Sequence, residues 1–232
     1  MMLSPDDWQA LWLTGRLALV VTVLLLCVAT PLAWWLARSR SWLRIPVSAL
    51  VAMPLVLPPT VIGFYLLLAF SPNSLLGSSL AASGIGPLAF SFQGLVIASM
   101  VYSLPFVVQP IQNAMAAIGD RPVEASLLLG ANPWQTFRRV VLPLARPGYV
   151  VAAVLGFAHT VGEFGIVLMI GGNIPGETRV VSVSIYDHVE ALNYDAAHRL
   201  SGIVVVSAFL LLMSVYVWQS KRTKDMTQTV LR

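Results

Sequence analysis

The stretch from Asp120 to Pro143 reads DRPVEASLLLGANPWQTFRRVVLP and interrupts a sequence that is otherwise strongly apolar. No charged residue occurs between Ile45 and Gly119 on its N-terminal side, and the chain turns apolar again after it. We call Asp120–Pro143 the charged segment. A short, charged, helix-forming segment between apolar stretches is a surface that a soluble partner can contact.

The composition excludes a soluble globular protein. The chain has 232 residues, of which 57% are hydrophobic and 10% are charged, whereas soluble domains carry about 25% charged residues. Several stretches reach the roughly 20 apolar residues that a bilayer span requires. The net charge of +4 does not indicate nucleic acid binding, because the basic residues flank apolar stretches, where they orient spans. The single cysteine, Cys27, excludes an intrachain disulfide.

The apolar stretches predict an all-α integral membrane protein with five transmembrane helices in a single domain, residues 1–232. The predicted spans lie at about residues 11–37, 45–70, 93–117, 148–170 and 200–219. The connecting segment 71–92 is rich in Ser, Gly and Leu. A re-entrant piece or a sixth span in that segment is the alternative.

The positions of lysine and arginine predict the orientation of the chain. With five spans, eleven of the 14 basic residues, including Arg38, Arg40 and Arg44, fall on the side of the charged segment. A sixth span would place those three arginines opposite it. We therefore predict an outside N-terminus and a cytoplasmic C-terminus. The N-terminus is acidic and its apolar run is too long for a signal peptide, so the first span is expected to be retained.

Capping signals predict two short helices in the charged segment, at about residues 120–143. Asp120 is placed to cap the first helix, and Gly130 to end it in a left-handed conformation. Asn132, followed by a proline and then by Gln135, predicts a second helix with a capping box. We expect Pro143 to end the second helix. Two such helices at an angle would form a compact protrusion.

The order of residues in the charged segment resembles the coupling loop of binding-protein-dependent ABC importer permeases. Serine replaces the second alanine of the family's Glu-Ala-Ala pattern. The resemblance implies that this loop docks into a groove of a separate ATPase subunit, present in two copies. It also implies a permease without a cofactor of its own, with ATP-Mg bound by the ATPase. The implied coupling residues are Glu124, Ala125, Ser126, Gly130, Arg138, Arg139 and Pro143.

Other motifs resemble the tetraoxyanion branch of that family, the molybdate, tungstate and sulfate permeases. These motifs are Gly162–Gly165, Gly172–Arg179, Ile185-Tyr186 and Leu57–Tyr65. The short chain and Leu57–Tyr65 are most similar to the molybdate permeases. The resemblance implies import of molybdate, and of tungstate, across the bacterial inner membrane, with sulfate or thiosulfate as the alternative. It implies a homodimer of this chain and a periplasmic oxyanion-binding protein as partners.

A dianion that crosses a membrane favours a path with uncharged hydrogen-bond donors, because binding must also allow release. Ser99 is one such donor, and the backbone near the glycines supplies others. Pro58 and Pro59 indicate either a packing kink or broken backbone beside the path. The candidate path or gate residues are Thr60, Gly63, Ser103, Thr160, Glu163 and Gly165.

His159 and Glu163 are four residues apart and share one face of a helix. We weigh a pair within the chain, a pair across a subunit interface, and a gate near the outer mouth that includes Glu163. A metal site would need further ligands, and no metal is expected. Arg16, near the outer end of the first span, either reaches the interface with its charged group or attracts the anion.

Two other classes of protein fit the sequence less well. A secondary transporter driven by an ion gradient typically has inverted repeats, and no convincing repeat occurs here. A membrane enzyme would need a converging set of catalytic groups. The histidines and Glu163 do not form a recognisable set, and the chain has no phosphate-binding loop motif for ATP.

Overall fold

All elements in the part of the chain that the computed structural model describes, residues 3–82 and 86–230, are helical, which confirms the predicted all-α fold. The helices are α1 (Pro5–Arg38), α2 (Arg44–Ala52), α3 (Pro59–Phe70), α4 (Leu75–Ala82), α5 (Phe92–Ile118), α6 (Arg121–Leu128), α7 (Pro133–Thr136), α8 (Leu142–Gly162), α9 (Gly165–Gly171), α10 (Val181–Glu190) and α11 (Tyr194–Val230). A 3₁₀ turn, Met53–Leu55, follows α2, and a π-helical turn, Phe137–Val141, joins α7 to α8.

Within the described residues, four helical stretches are long and apolar enough to cross a membrane. They are Pro5–Arg38, Phe92–Ile118, Pro133–Gly162 and Tyr194–Val217. A fifth candidate is the pair Arg44–Leu55 and Pro59–Phe70, which is bent by 110°. The span predicted at 45–70 is therefore two helices. Because Pro59 disfavours a helical conformation in the residue before it, Pro58 is extended, with φ −55° and ψ 137°.

The segment 71–92, where a sixth span was the alternative, contains α4. This helix has eight residues and is too short to cross a bilayer by itself. Residues 83–85 of the segment lie outside the described residues.

The chain divides into two compact units, one of Ser4–Ser184 and one of the described residues of Met1–Leu3 and Ile185–Arg232. The predicted span 200–219 lies inside α11, in the second unit. In α11, Val205 and Phe209 are among many large apolar side chains that are exposed, as expected for a helix surrounded by lipid. The single domain over residues 1–232 stays a prediction.

The core of the larger unit lies between α1, α5 and α8. Leu17 of α1 and Val107 of α5 are fully buried there. Small residues let α8 approach α5 closely, since a Cβ atom on Gly156 would lie 2.7 Å from Val107 Cγ2, and one on Gly148 would lie 2.3 Å from Ala114 Cβ. Membrane helices pack in this way because lipid gives no hydrophobic drive for their association.

The span predicted at 148–170 is interrupted. α8 ends at Gly162, and α9 begins at Gly165 and packs against α3. The break starts at Glu163, whose backbone is extended with φ −64° and ψ 133°. At its other end this span begins earlier than predicted, because Pro133–Gly162 is one stretch of 30 residues.

Candidate functional site

The start of the charged segment is connected to the end of α1. Arg38 Nη1 lies 3.2 Å from Asp120 Oδ1, and Arg38 Nη2 donates a hydrogen bond to the carbonyl oxygen of Gly119 at 2.8 Å. Asp120 makes no side-chain cap of α6, contrary to the prediction. Its backbone is already helical, with φ −86° and ψ −34°, whereas a capping side chain requires an extended backbone to reach the first amides of the helix.

Gly130 ends the first short helix as predicted. Its φ is +83°, in the left-handed region, and the amides of Gly130 and Ala131 donate to the carbonyls of Leu127 and Ser126. A Cβ atom at this glycine would meet nothing within 4 Å. The position therefore requires glycine for its backbone conformation and not for space.

The predicted start of the second short helix, at Asn132, is also confirmed. The amide of Gln135 donates to Asn132 Oδ1 at 2.8 Å, and the amide of Asn132 donates to Gln135 Oε1 at 3.0 Å, which completes the capping box. Pro143 does not end this helix, however. The π-helical turn allows the chain to continue, with the amide of Leu142 donating to the carbonyl of Phe137, and Pro143 lies in the first turn of α8, where its missing N–H is tolerated.

Hydroxyl groups and aromatic rings connect the two halves of the charged segment. Ser126 Oγ and Thr136 Oγ1 are 2.6 Å apart and buried. The ring of Phe137 stacks on Trp134 and meets Trp34 of α1 edge to face. Thr136 was not recognised from the sequence, because a threonine after a capping box carries no signal of its own.

The outer surface of the charged segment combines charge with apolar groups. Glu124, Ala125, Arg138 and Arg139 are exposed, and so are the large apolar side chains Leu128 and Leu129, each at 89%. A cavity of about 540 Å³ lies between α1 and this segment. Its lining is mostly apolar: Thr30, Pro31, Trp34, Val123, Leu127, Pro133, Trp134, Thr136 and Phe137.

A second cavity, of about 460 Å³, opens at the break between α8 and α9, and we call it the break cavity. It is lined by Pro59, Thr60, Tyr102, Ala158, His159, Gly162, Glu163, Phe164 and Gly165. The predicted path residues Thr60, Glu163 and Gly165 therefore meet at one place. Gly63 lies instead where α3 contacts α9, since a Cβ atom there would be 2.9 Å from Met169 Cβ.

The carboxylate of Glu163 receives hydrogen bonds from α5. Ser99 Oγ donates to Oε2 at 2.5 Å, and Ser103 Oγ donates to Oε1 at 2.6 Å. Ser103 Oγ also lies 3.2 Å from Thr160 Oγ1, and these hydroxyl groups are buried. The side chain of Glu163 has no exposed surface, although the residue contributes to the wall of the break cavity.

His159 is positioned by the same cluster. Its Nδ1 atom lies 2.9 Å from Ser103 Oγ and 3.5 Å from Glu163 Oε1, so the pair predicted within the chain is present. Ser103 has one hydroxyl proton, and an ionised carboxylate can only accept. When Glu163 is ionised, Ser103 therefore donates to Glu163, and His159 Nδ1 donates to Ser103. The imidazole ring stacks on Phe106 and lies against Tyr102.

The backbone at the break has a further partner. Ser182 Oγ of α10 donates to the carbonyl oxygen of Glu163 at 2.5 Å. No sequence pattern pointed to Ser182, Tyr102 or Phe106, because their roles depend on contacts between distant helices.

The motif Gly172–Arg179 forms a compact turn after α9. Thr178 Oγ1 is buried and donates to the carbonyl of Gly171 at 2.6 Å, and Arg179 Nε donates to Asn173 Oδ1 at 2.5 Å.

In α10, Tyr186 donates to Glu190, and this hydrogen bond raises the pKa of the tyrosine hydroxyl. Across the described residues, no three His, Cys, Asp or Glu side chains come together as a metal site.

Comparison with known proteins places these features in context. Residues 29–225 match the family described as "Binding-protein-dependent transport system inner membrane component". The chain is 58% identical over 224 residues to the molybdenum transport system permease protein ModB of Azotobacter vinelandii, covering 97% of this chain and 98% of that protein. It is 39% identical over 212 residues to ModB of Mycobacterium tuberculosis, covering 91% of this chain and 80% of that protein.

A relative of a different substrate class is more distant. The sulfate transport system permease protein CysT of Escherichia coli is 36% identical over 190 residues, which cover 82% of this chain and 68% of that protein.

Solved structures share the fold. A bacterial alginate ABC transporter, in complex with an alginate-bound periplasmic protein, matches with a TM-score of 0.77 at 20% identity, covering 95% of this chain and 81% of that chain. The methionine ABC transporter MetNI, in an inward-facing conformation, matches with a TM-score of 0.70 at 22% identity, covering 92% of this chain and 96% of that chain.

Proposed function

The chain belongs to the family of binding-protein-dependent transport system inner membrane components, and from this membership we propose that it is the pore subunit of an ATP-driven importer for molybdate. Tungstate, an oxyanion of nearly the same size, is included in the proposal. The assignment of molybdate as the substrate is supported by the similarity to a molybdenum permease, which extends over almost the full length of both chains. The sulfate permease is matched over a smaller share of its length and keeps sulfate or thiosulfate as the alternative.

The charged segment is the proposed docking surface for an ABC ATPase subunit. Its exposed charges, Glu124, Arg138 and Arg139, and the adjacent exposed leucines suit a soluble partner better than lipid. Gly130 and the capping box at Asn132 hold the two short helices in a defined arrangement. A defined arrangement suits coupling. ATP hydrolysis in the ATPase and the movement of the membrane helices must bias the same conformational equilibrium.

The break cavity is the proposed part of the translocation path. Thr60 and Gly165 both line its wall, and a Cβ atom on Gly165 would lie 3.1 Å from Pro59 Cβ. Irregular backbone at membrane depth is tolerated where it lines a cavity, and here Pro58 and Glu163 supply two such breaks. Ser103 and Thr160 are not part of the lining; Ser103 bonds to Glu163 and contacts His159, and Thr160 contacts Ser103.

The remaining partners complete the proposed importer. Two copies of this chain would form the pore, two ATPase subunits would bind ATP-Mg and dock on the charged segments, and a periplasmic oxyanion-binding protein would deliver the anion. Residues 1–232 would act as one permease domain with five spans, an outside N-terminus and a cytoplasmic C-terminus. The distribution of lysine and arginine supports this orientation. This chain would contribute no ATP hydrolysis and no cofactor.

The test is the ATPase activity of the complete complex in proteoliposomes. The complex contains this chain, its ATPase subunit and the cognate binding protein loaded with molybdate or with sulfate. We expect stimulation by the molybdate-loaded protein and none by the sulfate-loaded protein. Stimulation by the sulfate-loaded protein alone would support an importer but replace molybdate by sulfate as the proposed substrate. Failure of this chain to associate with any ATPase would overturn the importer proposal.

A further inference from the structure

Glu163 is an acidic side chain with no exposed surface in a membrane protein whose proposed cargo is an anion. Such a carboxylate is costly at membrane depth unless hydrogen bonds or a cation compensate its charge. Among the described residues, Glu163 has no ion pair with a lysine or arginine. Its compensation comes from Ser99, Ser103 and the nearby His159.

We propose that Glu163 is a positioning residue that holds the break between α8 and α9 against α5, and that it does not contact the transported oxyanion. This inference rests on the proposed function, in which the break cavity is part of the translocation path. It assigns to Glu163, Ser99 and Ser103 the control of the width of the break cavity.

The hydrogen bonds of Glu163 support a role away from the anion. Each carboxylate oxygen accepts a hydrogen bond from a serine hydroxyl of α5, at 2.5 Å and 2.6 Å. A dianion in the cavity would be repelled by an exposed carboxylate. The side chain of Glu163 is turned into the protein, and the other polar residues that line the cavity are Thr60, Tyr102 and His159.

Glu163 also links the break between α8 and α9 to two other helices. Its side chain binds α5, its carbonyl oxygen accepts from Ser182 of α10, and its extended ψ of 133° separates α8 from α9. The break cannot move away from α5 without losing both serine hydrogen bonds at once. A carboxylate is suited to this role because one side chain accepts from two donors, so the contact is made or broken as a unit.

The test uses the complete reconstituted complex with three variants: Ser99→Ala combined with Ser103→Ala, Glu163→Gln, and Ser214→Ala as a control. Among the described residues, Ser214 has one hydrogen bond, to Leu211 of its own helix, and it is exposed, so its substitution removes a serine hydroxyl that does not bond to Glu163. The readout is the ratio of ATPase rates with and without the loaded binding protein. A loss of folding lowers both rates together and leaves this ratio unchanged.

We expect the serine double variant to raise the rate without binding protein by about tenfold or more and to lower the ratio accordingly, since it removes two hydrogen bonds to Glu163 and each bond to a charged group contributes a factor of about ten or more. Glu163→Gln should give a smaller change, because the amide oxygen still accepts from one serine. Ser214→Ala should match wild type. A ratio within about twofold of wild type in the folded double variant would overturn the proposal. So would a changed preference between molybdate and sulfate in Glu163→Gln at an unchanged ratio, because that result indicates contact with the anion.

A second measurement does not depend on the cargo. Hydrogen exchange of the backbone amides at 163–167 is followed in the complex in nanodiscs, with the same variants. The double variant should exchange faster at this segment, and Ser214→Ala should not. If wild type is not stimulated by molybdate but this difference is present, the proposed cargo fails and the positioning role stands. Equal exchange in wild type and double variant overturns the positioning role.

Discussion

Ser126 Oγ lies 2.6 Å from Thr136 Oγ1, and this buried hydrogen bond joins the two short helices of the charged segment. The family pattern that the segment resembles has alanine where this chain has Ser126. The serine therefore does more than replace one small side chain by another, because its hydroxyl group makes a hydrogen bond with the buried hydroxyl group of Thr136.

The first prediction concerns this pair. Ser126→Ala leaves the Thr136 hydroxyl without its partner, and we expect a loss of about 1–2 kcal/mol in the free energy of unfolding. Adding Thr136→Val removes the unsatisfied group and should recover most of that loss. The measurement is denaturant-induced unfolding of the purified protein in detergent. A double variant no more stable than Ser126→Ala would show that the hydroxyl pair is not the source of the effect.

The second prediction concerns the left-handed glycine. Gly130→Ala should destabilise the protein by about 1 kcal/mol or slightly more, because a residue with a Cβ atom is strained at φ +83°. Gly15→Ala is the matched control, since a Cβ atom at Gly15 also meets nothing within 4 Å but Gly15 is inside a helix. There alanine should be neutral or stabilising by up to about 1 kcal/mol. The measurement is denaturant-induced unfolding of both variants in detergent. An equal shift of the unfolding midpoint in the two variants would contradict the conformational argument.

The third prediction separates the two helix starts of the charged segment. Asn132→Ala removes a formed capping box and should cost about 1 kcal/mol. Asp120→Ala removes only an ion pair with Arg38, in which the aspartate side chain is 69% exposed, and should cost between about 0 and 1 kcal/mol, less at high salt. Thermal unfolding of both variants at low and high salt provides the comparison. A larger loss for Asp120→Ala would indicate that this residue caps α6 after all.

The fourth prediction concerns coupling to the ATPase. Glu124→Lys reverses an exposed charge in the first turn of α6, and we expect it to abolish transport in a protein that still inserts into the membrane. The matched control is Asp6→Lys, which reverses an exposed charge in the first turn of α1. In both positions the change is unfavourable to the helix dipole by about 0.3–1 kcal/mol, so the cost to the helix is matched and the two variants differ in the surface that carries the reversed charge. Uptake and pull-down of the ATPase by each inserted variant are measured together. Normal uptake with Glu124→Lys would remove the coupling role of the charged segment.

Several features of the fold and site could be predicted because they depend on residues close in sequence. The capping box joins Asn132 to Gln135, three residues apart, and the left-handed stop depends on Gly130 alone. Long apolar runs likewise indicate membrane helices by their own length. The expectation for Pro143 failed because of a local π-helical turn, and that for Asp120 failed because its backbone is helical and its side chain pairs with a distant group. Asp120 was expected to cap its own helix, but it pairs with Arg38, which is 82 residues away in the sequence.

The sequence by itself determined the all-helical membrane fold, the place of the charged segment and the order of its helix signals. These follow from hydropathy and from local hydrogen bonding, which act over a few residues. Only the tertiary structure decided that the backbone bends by 110° between Leu55 and Pro59 and breaks at Glu163, and that Pro143 continues a helix. It also placed Ser99 of α5 on Glu163, 64 residues further along the chain. A buried carboxylate must find donors wherever the packing of the helices supplies them, and that packing is a property of the whole chain.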